Sequence, residues 1–176
     1  ALNRYWQLNL SQTELKALGL QLGADVPLFI DGNSAWGEGV GEKLQAVTLP
    51  PRWCLVATPD CMVSTAEIFN HENLTRNSPA IKMADFLAGV ARNDCESITC
   101  DLYPEVEQAL TWLTQFGQAR MTGTGASVFA DFTVETKANA ALSQLPARWQ
   151  GFVARGLNSL EPGLSLIHIS EPTRPC

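Results

Sequence analysis

Leucines at positions 15, 18 and 22 recur at the spacing that brings side chains to one face of a helix. Just before them, Ser11 and Glu14 stand in the S-x-x-E order of a capping box, in which each side chain binds the backbone amide of the other residue. Gly23 follows, and glycine commonly ends a helix. The pattern predicts a helix over residues 12–22 that stops at Gly23.

The next segment, residues 33–43, is rich in glycine and predicts short strands joined by turns. Pro50 and Pro51 close it, because proline interrupts regular backbone hydrogen bonding. A new series of apolar patterns begins immediately after these prolines. We therefore expect a change of structural unit near position 50.

Beyond Pro51, strand-like and helix-like patterns alternate. The predicted strands cover residues 53–57, 120–122, 128–132 and 151–155, and the predicted helices cover residues 81–91, 104–116 and 134–145. The resulting order is the split βαβ pattern of ferredoxin-like domains. We expect an α+β fold with one antiparallel sheet and the three long helices on one of its faces. Because this architecture hosts many functions, the pattern alone selects none.

The composition limits the class of protein. With 176 residues, 45% hydrophobic and 17% charged, the chain can bury one ordinary core. A formal net charge of -6 excludes a general nucleic-acid binder, which normally has a basic face. No apolar run is long enough to cross a bilayer, and no signal peptide is evident. We expect a soluble, cytoplasmic protein with small-molecule partners and with no nucleic-acid or membrane partner.

The cysteines form no recognisable metal or disulfide pattern. Their number is odd, no C-x-x-C pair occurs, and only two histidines are available to complete a zinc site. The residues concerned are Cys54, Cys61, Cys95, Cys100 and Cys176, with His71 and His168. We expect five reduced, mostly buried thiols and no metal ligand.

Both ends of the chain look unusual. The first residues resemble the middle of a helix without a cap, so we expect the natural start to lie upstream. The segment SLIHISEPTRP, near the other end, resembles the translated read-through of a sequencing adapter. We expect residues 159–176 to be a non-native tail in which Ile167 and Ile169 contact no core. The alternative is a flexible natural tail.

Asp25 is the first candidate for chemistry. Its carboxylate lies between the predicted end of the first helix and the apolar run Val-Pro-Leu-Phe, where an unpaired buried charge would be costly. The side chain either caps the helix that begins at Val26-Pro27 or is held for a reaction. Local sequence favours the cap, although one carboxylate can serve both roles.

The loop TGTGAS, residues 122–127, is the second candidate. Its glycines permit unusual backbone angles, and its amides could form an anion-binding nest. A simple hairpin turn is about equally compatible with the sequence. The loop is not a P-loop, because the lysine of that motif is absent and the segment connects two strands. Elsewhere, Ser64 with Glu67, and Asn93-Asp94 with Glu96, predict two further helix starts.

Taken in order, five segments resemble the 4-diphosphocytidyl-2-C-methyl-D-erythritol kinase family of the GHMP kinase superfamily. They are LGADVPLFIDGNSAWGEGVGEKL, VSTAEIF, NDCE, MTGTGASVFADF and GFVARGLN, and the resemblance runs from position 1 to about position 158. It implies a GHMP kinase carboxy-terminal ferredoxin-like domain over residues 51–158. Residues 1–50 would be a remnant of the amino-terminal ribosomal-protein-S5-like domain.

The resemblance also implies an activity and a set of site residues. The reaction would be the ATP-dependent phosphorylation of the 2-hydroxyl of 4-diphosphocytidyl-2-C-methyl-D-erythritol, in non-mevalonate isoprenoid biosynthesis, with Mg²⁺ accompanying ATP. Asp25 would be the catalytic base. Phe69 would stack on the cytosine ring, and Thr65 would face the substrate on the same turn. The remaining positions, at the phosphate-binding region, would be Gly123, Thr124 and Gly125.

One departure from the family qualifies this expectation. The glycine-rich ATP loop of the family, and the lysine that assists the aspartate, do not occur in the chain. We therefore expect the chain to be inactive when it is alone. The alternatives are a non-catalytic ferredoxin-like module and another GHMP kinase, such as homoserine or mevalonate kinase. The segments VSTAEIF and NDCE favour the cytidine substrate.

Overall fold

A computed structural model describes residues 2–39, 43–87, 89–90 and 92–159. The chain forms two compact units, which we describe separately. The first contains residues up to Pro50 together with the described residues from Leu157 onward, and the second contains residues 51–156. Of the predicted tail, Ser159 is described and forms an isolated β-bridge with Asn33. The rest of the tail, including Ile167, Ile169, His168 and Cys176, lies outside the described residues.

The first unit consists of three helices and a two-stranded sheet. The helices are α1 (Leu2–Tyr5), α2 (Gln12–Leu22) and α3 (Val26–Asp31), and the strands are β1 (Ala35–Glu38) and β2 (Lys43–Ala46). The predicted capping box is confirmed, since the Ser11 hydroxyl accepts the Glu14 amide and the Glu14 carboxylate accepts the Ser11 amide. The glycine-rich segment predicted short strands, and the structure has β1 within it and β2 beginning at its last residue; the two strands pair antiparallel.

Helices α2 and α3 pack closely at Gly19. A β-carbon at this position would lie 2.6 Å from Cδ1 of Ile30 and 2.8 Å from Cγ1 of Val26. Only glycine leaves room for this approach. An ion pair between Lys16 and Asp31 also joins the two helices. The two helices thus hold the segment that carries Asp25 in a defined place within this unit.

The second unit is a four-stranded antiparallel sheet with helices. Its strands are β3 (Trp53–Thr58), β4 (Ala119–Met121), β5 (Val128–Phe132) and β6 (Gln150–Arg155), in the spatial order β4-β5-β3-β6. Its helices are α4 (Thr65–Asn70), α5 (Met83–Leu87), α6 (Glu96–Leu102), α7 (Pro104–Thr114) and α8 (Glu135–Leu142). The predicted split βαβ order is therefore confirmed.

One face of this sheet carries the core. Alternate residues of the central strands point to it, including Leu55, Ala57, Val128 and Ala130, all of which are fully buried. Helices α7 and α8 cover this face, and Val106, Leu113 and Ala138 enter the same cluster. The helices bury their apolar stripes there, which is the main source of their stability.

The prediction for residues 81–91 was wrong in two respects. Helix α5 is shorter, because Gly89 adopts a positive φ of 84° and the amides of Gly89 and Val90 bond back to Phe86 and Asp85. This glycine-terminated pattern ends a helix. In addition, Arg120, on the face opposite the core, lies over the Phe86 ring at 5.9 Å. Only two of the three predicted long helices therefore pack on the core face.

The described cysteines are free thiols and are half-buried rather than buried. Burial raises the pKa of Cys54 to about 11, helped by the hydrogen bond that its thiol donates to Asp131 at 3.2 Å. Burial, together with the nearby carboxylates, also raises the pKa of Cys100 to about 11. These thiols stay protonated, and therefore weakly nucleophilic, at neutral pH.

This pKa shift predicts alkaline destabilisation. A thiol whose folded-state pKa exceeds its unfolded value of roughly 8.5 favours folding below that value and loses its contribution as the pH rises toward 11. We expect the free energy of unfolding to fall between about pH 9 and about pH 11, measured by urea titration. The free energy of unfolding of the double variant Cys54→Ala/Cys100→Ala should fall less over the same pH range. An equal loss in both proteins would contradict the assignment.

Candidate functional site

Helix α4 presents Thr65 and Phe69 on the second unit. Ser64 caps the helix, and its hydroxyl accepts the Glu67 amide at 3.3 Å, so the predicted helix start is confirmed. The Glu67 carboxylate does not return to Ser64. Instead, the Tyr103 hydroxyl accepts the Ser64 amide at 3.3 Å and donates to Glu67 at 2.6 Å. The hydrogen bond to Glu67 raises the pKa of Tyr103, since the phenol proton is held by the carboxylate.

The TGTGAS loop is a hairpin connection between β4 and β5. Its ends are joined by the amide of Thr122 and the carbonyl of Ser127 at 3.1 Å, so the hairpin interpretation is confirmed. Gly123 and Gly125 have positive φ values of 57° and 92°, which explains the need for glycine at both positions. The anion-nest interpretation stays a prediction.

Several amides of this loop lack a hydrogen-bond acceptor within the part of the chain that the structure describes. The amides of Gly123, Thr124, Ala126 and Ser127 donate no hydrogen bond to any residue that the structure describes. Gly123 is exposed, whereas Thr124 is buried. Backbone amides that point away from their own chain are common anion ligands. The loop can therefore offer donors to a phosphate group.

Two threonine hydroxyls join the helix to the loop. Oγ1 of Thr65 and Oγ1 of Thr124 lie 3.0 Å apart, within hydrogen-bonding distance. Behind them, the fully buried Thr99 of α6 donates its hydroxyl to the carbonyl of Thr124 at 3.1 Å. Four of the predicted site residues, namely Thr65, Gly123, Thr124 and Gly125, are thus brought to one place.

Asn93 fixes the other side of the loop. Its side-chain amide donates to the carbonyl of Gly123 at 2.7 Å and to that of Met121 at 3.2 Å. Its oxygen accepts the amide of Cys95 at 3.0 Å, just before α6 begins at Glu96. The sequence identified Asn93 only as part of a helix start. Its contact with the loop was missed, because the two segments are distant in sequence.

Phe69 lies one turn after Thr65, on the same side of α4. Its side chain is 54% exposed, whereas its neighbour Ile68 is fully buried and anchors the helix. Core packing, the ordinary role of a phenylalanine, therefore does not account for this ring. An exposed aromatic face beside two hydroxyls can bind a flat polar ligand.

Asp25 belongs to the first unit, and its predicted capping role is wrong. It occupies the N-cap position of α3, but its backbone is helical and its side chain makes no capping bond. A capping carboxylate would bind the second or third amide of the helix. Pro27 has no amide proton, and the amide of Leu28 already donates to the carbonyl of Asp25 at 3.2 Å.

The carboxylate of Asp25 therefore has no partner within the described part of the chain. The residue is exposed, and its side chain makes no hydrogen bond or ion pair with the described residues. The preceding turn is held by the bond from the amide of Val26 to the carbonyl of Gly23. A free carboxylate on a well-held turn can accept a proton from a bound ligand.

Metal and membrane features are not evident in the described ranges. No three or more histidine, cysteine, aspartate or glutamate side chains among the described residues are placed to share a metal ion. Within the same part of the chain, every helix is too short or too polar to cross a bilayer.

Comparison with known proteins identifies a matching family and several relatives. Residues 79–151 match the family described as GHMP kinases C terminal. The 4-diphosphocytidyl-2-C-methyl-D-erythritol kinase of Alkalilimnicola ehrlichii is 55% identical over 157 residues, covering 89% of this chain and 54% of the relative. The enzyme of that name from Thiobacillus denitrificans is 53% identical over 158 residues, covering 90% of this chain and 57% of the relative. The chain thus spans about half the length of the curated relatives it matches.

Solved structures give a similar result. A crystal structure of 4-(cytidine 5'-diphospho)-2C-methyl-D-erythritol kinase superposes with a TM-score of 0.71 at 25% identity, covering 88% of this chain and 60% of that one. A homoserine kinase from Cytophaga hutchinsonii superposes with a TM-score of 0.53 at 16% identity, covering 90% of this chain and 62% of that one. The second likeness concerns the fold alone.

Proposed function

We propose that the chain forms part of a 4-diphosphocytidyl-2-C-methyl-D-erythritol kinase of the GHMP kinase superfamily. Residues 79–151 match the family described as GHMP kinases C terminal, and enzymes of that name are 53–55% identical to the chain. The reaction is the transfer of the γ-phosphoryl group of ATP to the 2-hydroxyl of 4-diphosphocytidyl-2-C-methyl-D-erythritol. The product serves non-mevalonate isoprenoid biosynthesis. The organisms of the relatives are bacteria, and the use of ATP fits a cytoplasmic location.

The observation that carries this proposal is the 3.0 Å contact between the hydroxyls of Thr65 and Thr124. It joins two segments that are far apart in sequence, one proposed to bind substrate and one proposed to lie near phosphate. A kinase must hold an alcohol and a phosphate together, because phosphoryl transfer depends mainly on positioning and charge stabilisation. The contact supports the proposal because it brings the segment assigned to the substrate next to the segment assigned to phosphate.

We assign the loop residues Gly123, Thr124 and Gly125 to the phosphates of ATP. The unbonded amides of this loop support the assignment, since they can donate to phosphate oxygens without breaking an existing bond. Mg²⁺ would arrive with ATP and neutralise charge on its phosphates. No cluster of protein ligands in the described ranges argues for a resident metal.

We assign Phe69 and Thr65 to the substrate and Asp25 to the proton transfer. The exposed ring of Phe69 offers a flat apolar face to cytosine, and the hydroxyl of Thr65 offers a donor or acceptor beside it. Asp25 would accept the proton of the 2-hydroxyl as its oxygen attacks the γ-phosphorus and ADP leaves. Its free, exposed carboxylate supports this role.

A chimera tests the proposal. Residues 1–158 replace the matching residues of the Alkalilimnicola ehrlichii relative, and ADP release is measured with ATP, Mg²⁺ and 4-diphosphocytidyl-2-C-methyl-D-erythritol. We expect turnover in the chimera and none with the 176-residue chain alone, which spans only part of such enzymes. Homoserine and mevalonate should not replace the substrate. A folded chimera that binds ATP without turning over the cytidine substrate would contradict the proposal in favour of a non-catalytic module.

In the same chimera, Phe69→Ala should raise KM for the cytidine substrate roughly tenfold, because stacking on a base is worth about 1–3 kcal/mol. The value of kcat should change less than about twofold, since stacking holds substrate and transition state equally. Phe152, which is 57% exposed on β6, provides a matched control. If Phe152→Ala raises KM as much as Phe69→Ala does, the assignment of Phe69 is wrong.

A further inference from the structure

The guanidinium of Arg76 closes the end of helix α4. Its Nη2 atom donates to the carbonyl of Phe69 at 2.7 Å and to that of His71 at 3.2 Å. Its Nη1 atom donates to the carbonyl of Leu74 at 3.1 Å. One side chain therefore binds three main-chain carbonyls around the turn that follows the exposed ring of Phe69.

A helix as short as α4 needs such a contact. It has six residues, and the last carbonyls of any helix have no partner within the helix. Helices of this length are unstable without outside contacts. A positive group near the last turn also interacts favourably with the helix dipole. Arg76 supplies both the hydrogen bonds and the charge at the end that carries Phe69.

The side chain of Phe69 is not held by packing against the core. More than half of its surface is exposed, so core packing does not fix the ring. Ile68 and Leu74, which are buried, anchor the helix and the following turn on the protein. Between these two anchors, the main chain at Phe69 is held by its carbonyl bond to Arg76. The main chain sets the position from which the ring leaves the helix and limits the rotamers that it can adopt.

We propose that Arg76 is a positioning residue for Phe69 and thereby sets the affinity of the site for the cytosine ring. This inference rests on the proposed function, because Phe69 is assigned to the substrate there. Lysine cannot take over this task. Its ammonium is a compact point charge, whereas the planar fork of arginine matches several acceptors at once.

The first test uses the 176-residue chain and does not depend on activity. Labelling with ¹⁵N-phenylalanine gives seven amide resonances, one for each phenylalanine, and Phe69→Ala identifies the resonance of Phe69. We expect its order parameter to fall from about 0.85 toward 0.6 in Arg76→Lys, because the main chain loses its fixed bonds. Arg92→Lys is the matched control, since Arg92 is exposed and bonds only Ser78 and Asp94 among the described residues. An unchanged Phe69 order parameter in Arg76→Lys would overturn the inference.

The second test measures steady-state kinetics in the chimera. Arg76→Lys should raise KM for the cytidine substrate roughly fivefold, the size expected for about one lost hydrogen bond, with kcat nearly unchanged. In the Phe69→Ala background the same substitution should have no further effect on KM, because the ring it positions is absent. An equal increase in both backgrounds would show that Arg76 acts by another route and would overturn the inference. If the chimera shows no turnover at all, the proposed function fails, while the order parameters still decide the positioning role.

Discussion

Asp25→Asn in the chimera should lower kcat by a factor on the order of a hundred or more, the usual scale for losing a general base. Asparagine keeps the size of the side chain but cannot accept the proton of the substrate hydroxyl. Affinity for ATP should stay almost unchanged, because the carboxylate acts on the alcohol. Initial-rate measurements with each substrate varied in turn separate these effects.

The structure makes this substitution a clean test. The carboxylate of Asp25 makes no capping bond, so its replacement should leave the thermal midpoint of unfolding nearly unchanged. Asp31→Asn, in the same segment, is the contrasting control, because it removes the ion pair with Lys16. That variant should lose stability but keep kcat. A near wild-type rate for Asp25→Asn would show that the catalytic assignment is wrong.

Leu55→Ala should destabilise the second unit by about 2–5 kcal/mol, the range for truncating a buried leucine. Leu55 is fully buried on the central strand β3, where it pairs with Ala130 of β5 and Val153 of β6. Truncation leaves a cavity between the sheet and the helices that cover it, and strands on both sides limit its collapse. Urea unfolding followed by tryptophan fluorescence measures the change, since Trp53, Trp112 and Trp149 lie in this unit.

Met62 provides the control for this loss. It belongs to the same unit, but its side chain is 93% exposed. Met62→Ala should change the free energy of unfolding by less than about 0.5 kcal/mol, as is usual for exposed positions. A loss below about 1 kcal/mol in Leu55→Ala would contradict the assignment of this residue to the centre of the core.

Much of the fold could be predicted from the sequence because its signals are local. Ser11 and Glu14 are three residues apart, and their mutual bonds need nothing else from the chain. The strand Val128–Phe132 alternates between buried and less buried residues, and its predicted bounds match the structure. Where neighbouring residues determine the conformation, the sequence pattern is sufficient.

The end of α5 shows where local signals were misinterpreted. Helical spacing suggested continuation to position 91, although Gly89 stood within the predicted helix. A glycine with positive φ ends a helix when following amides bond back to its last turn, as they do here. The cap predicted at Asp25 was wrong for a similar reason. Pro27 removes one of the two amides to which a capping side chain can bind, and this could have been inferred from the sequence.

The candidate site was harder to predict, because its contacts join distant segments. Asn93 and Thr99 donate hydrogen bonds to carbonyls at residues 121–124, and no local sequence pattern predicts either contact. Among the described residues, Arg76 forms hydrogen bonds only with nearby positions, yet an arginine in a polar turn is ordinary in sequence. The assignments of Asp25, Thr65, Phe69 and the loop glycines came from family resemblance, and they stay predictions.

The strand order of the second unit has a consequence for its folding during translation. The central strand β3 comes first in this unit, but one of its edges pairs with β6, where Trp53 meets Arg155. On the ribosome, β3 emerges long before β6, so that edge has no partner until translation has passed position 155. Unpaired edges of apolar strands recruit other chains, and long-range pairing is slow. Nascent chains halted before position 150 should therefore aggregate, whereas chains extended beyond Arg155 can close the sheet.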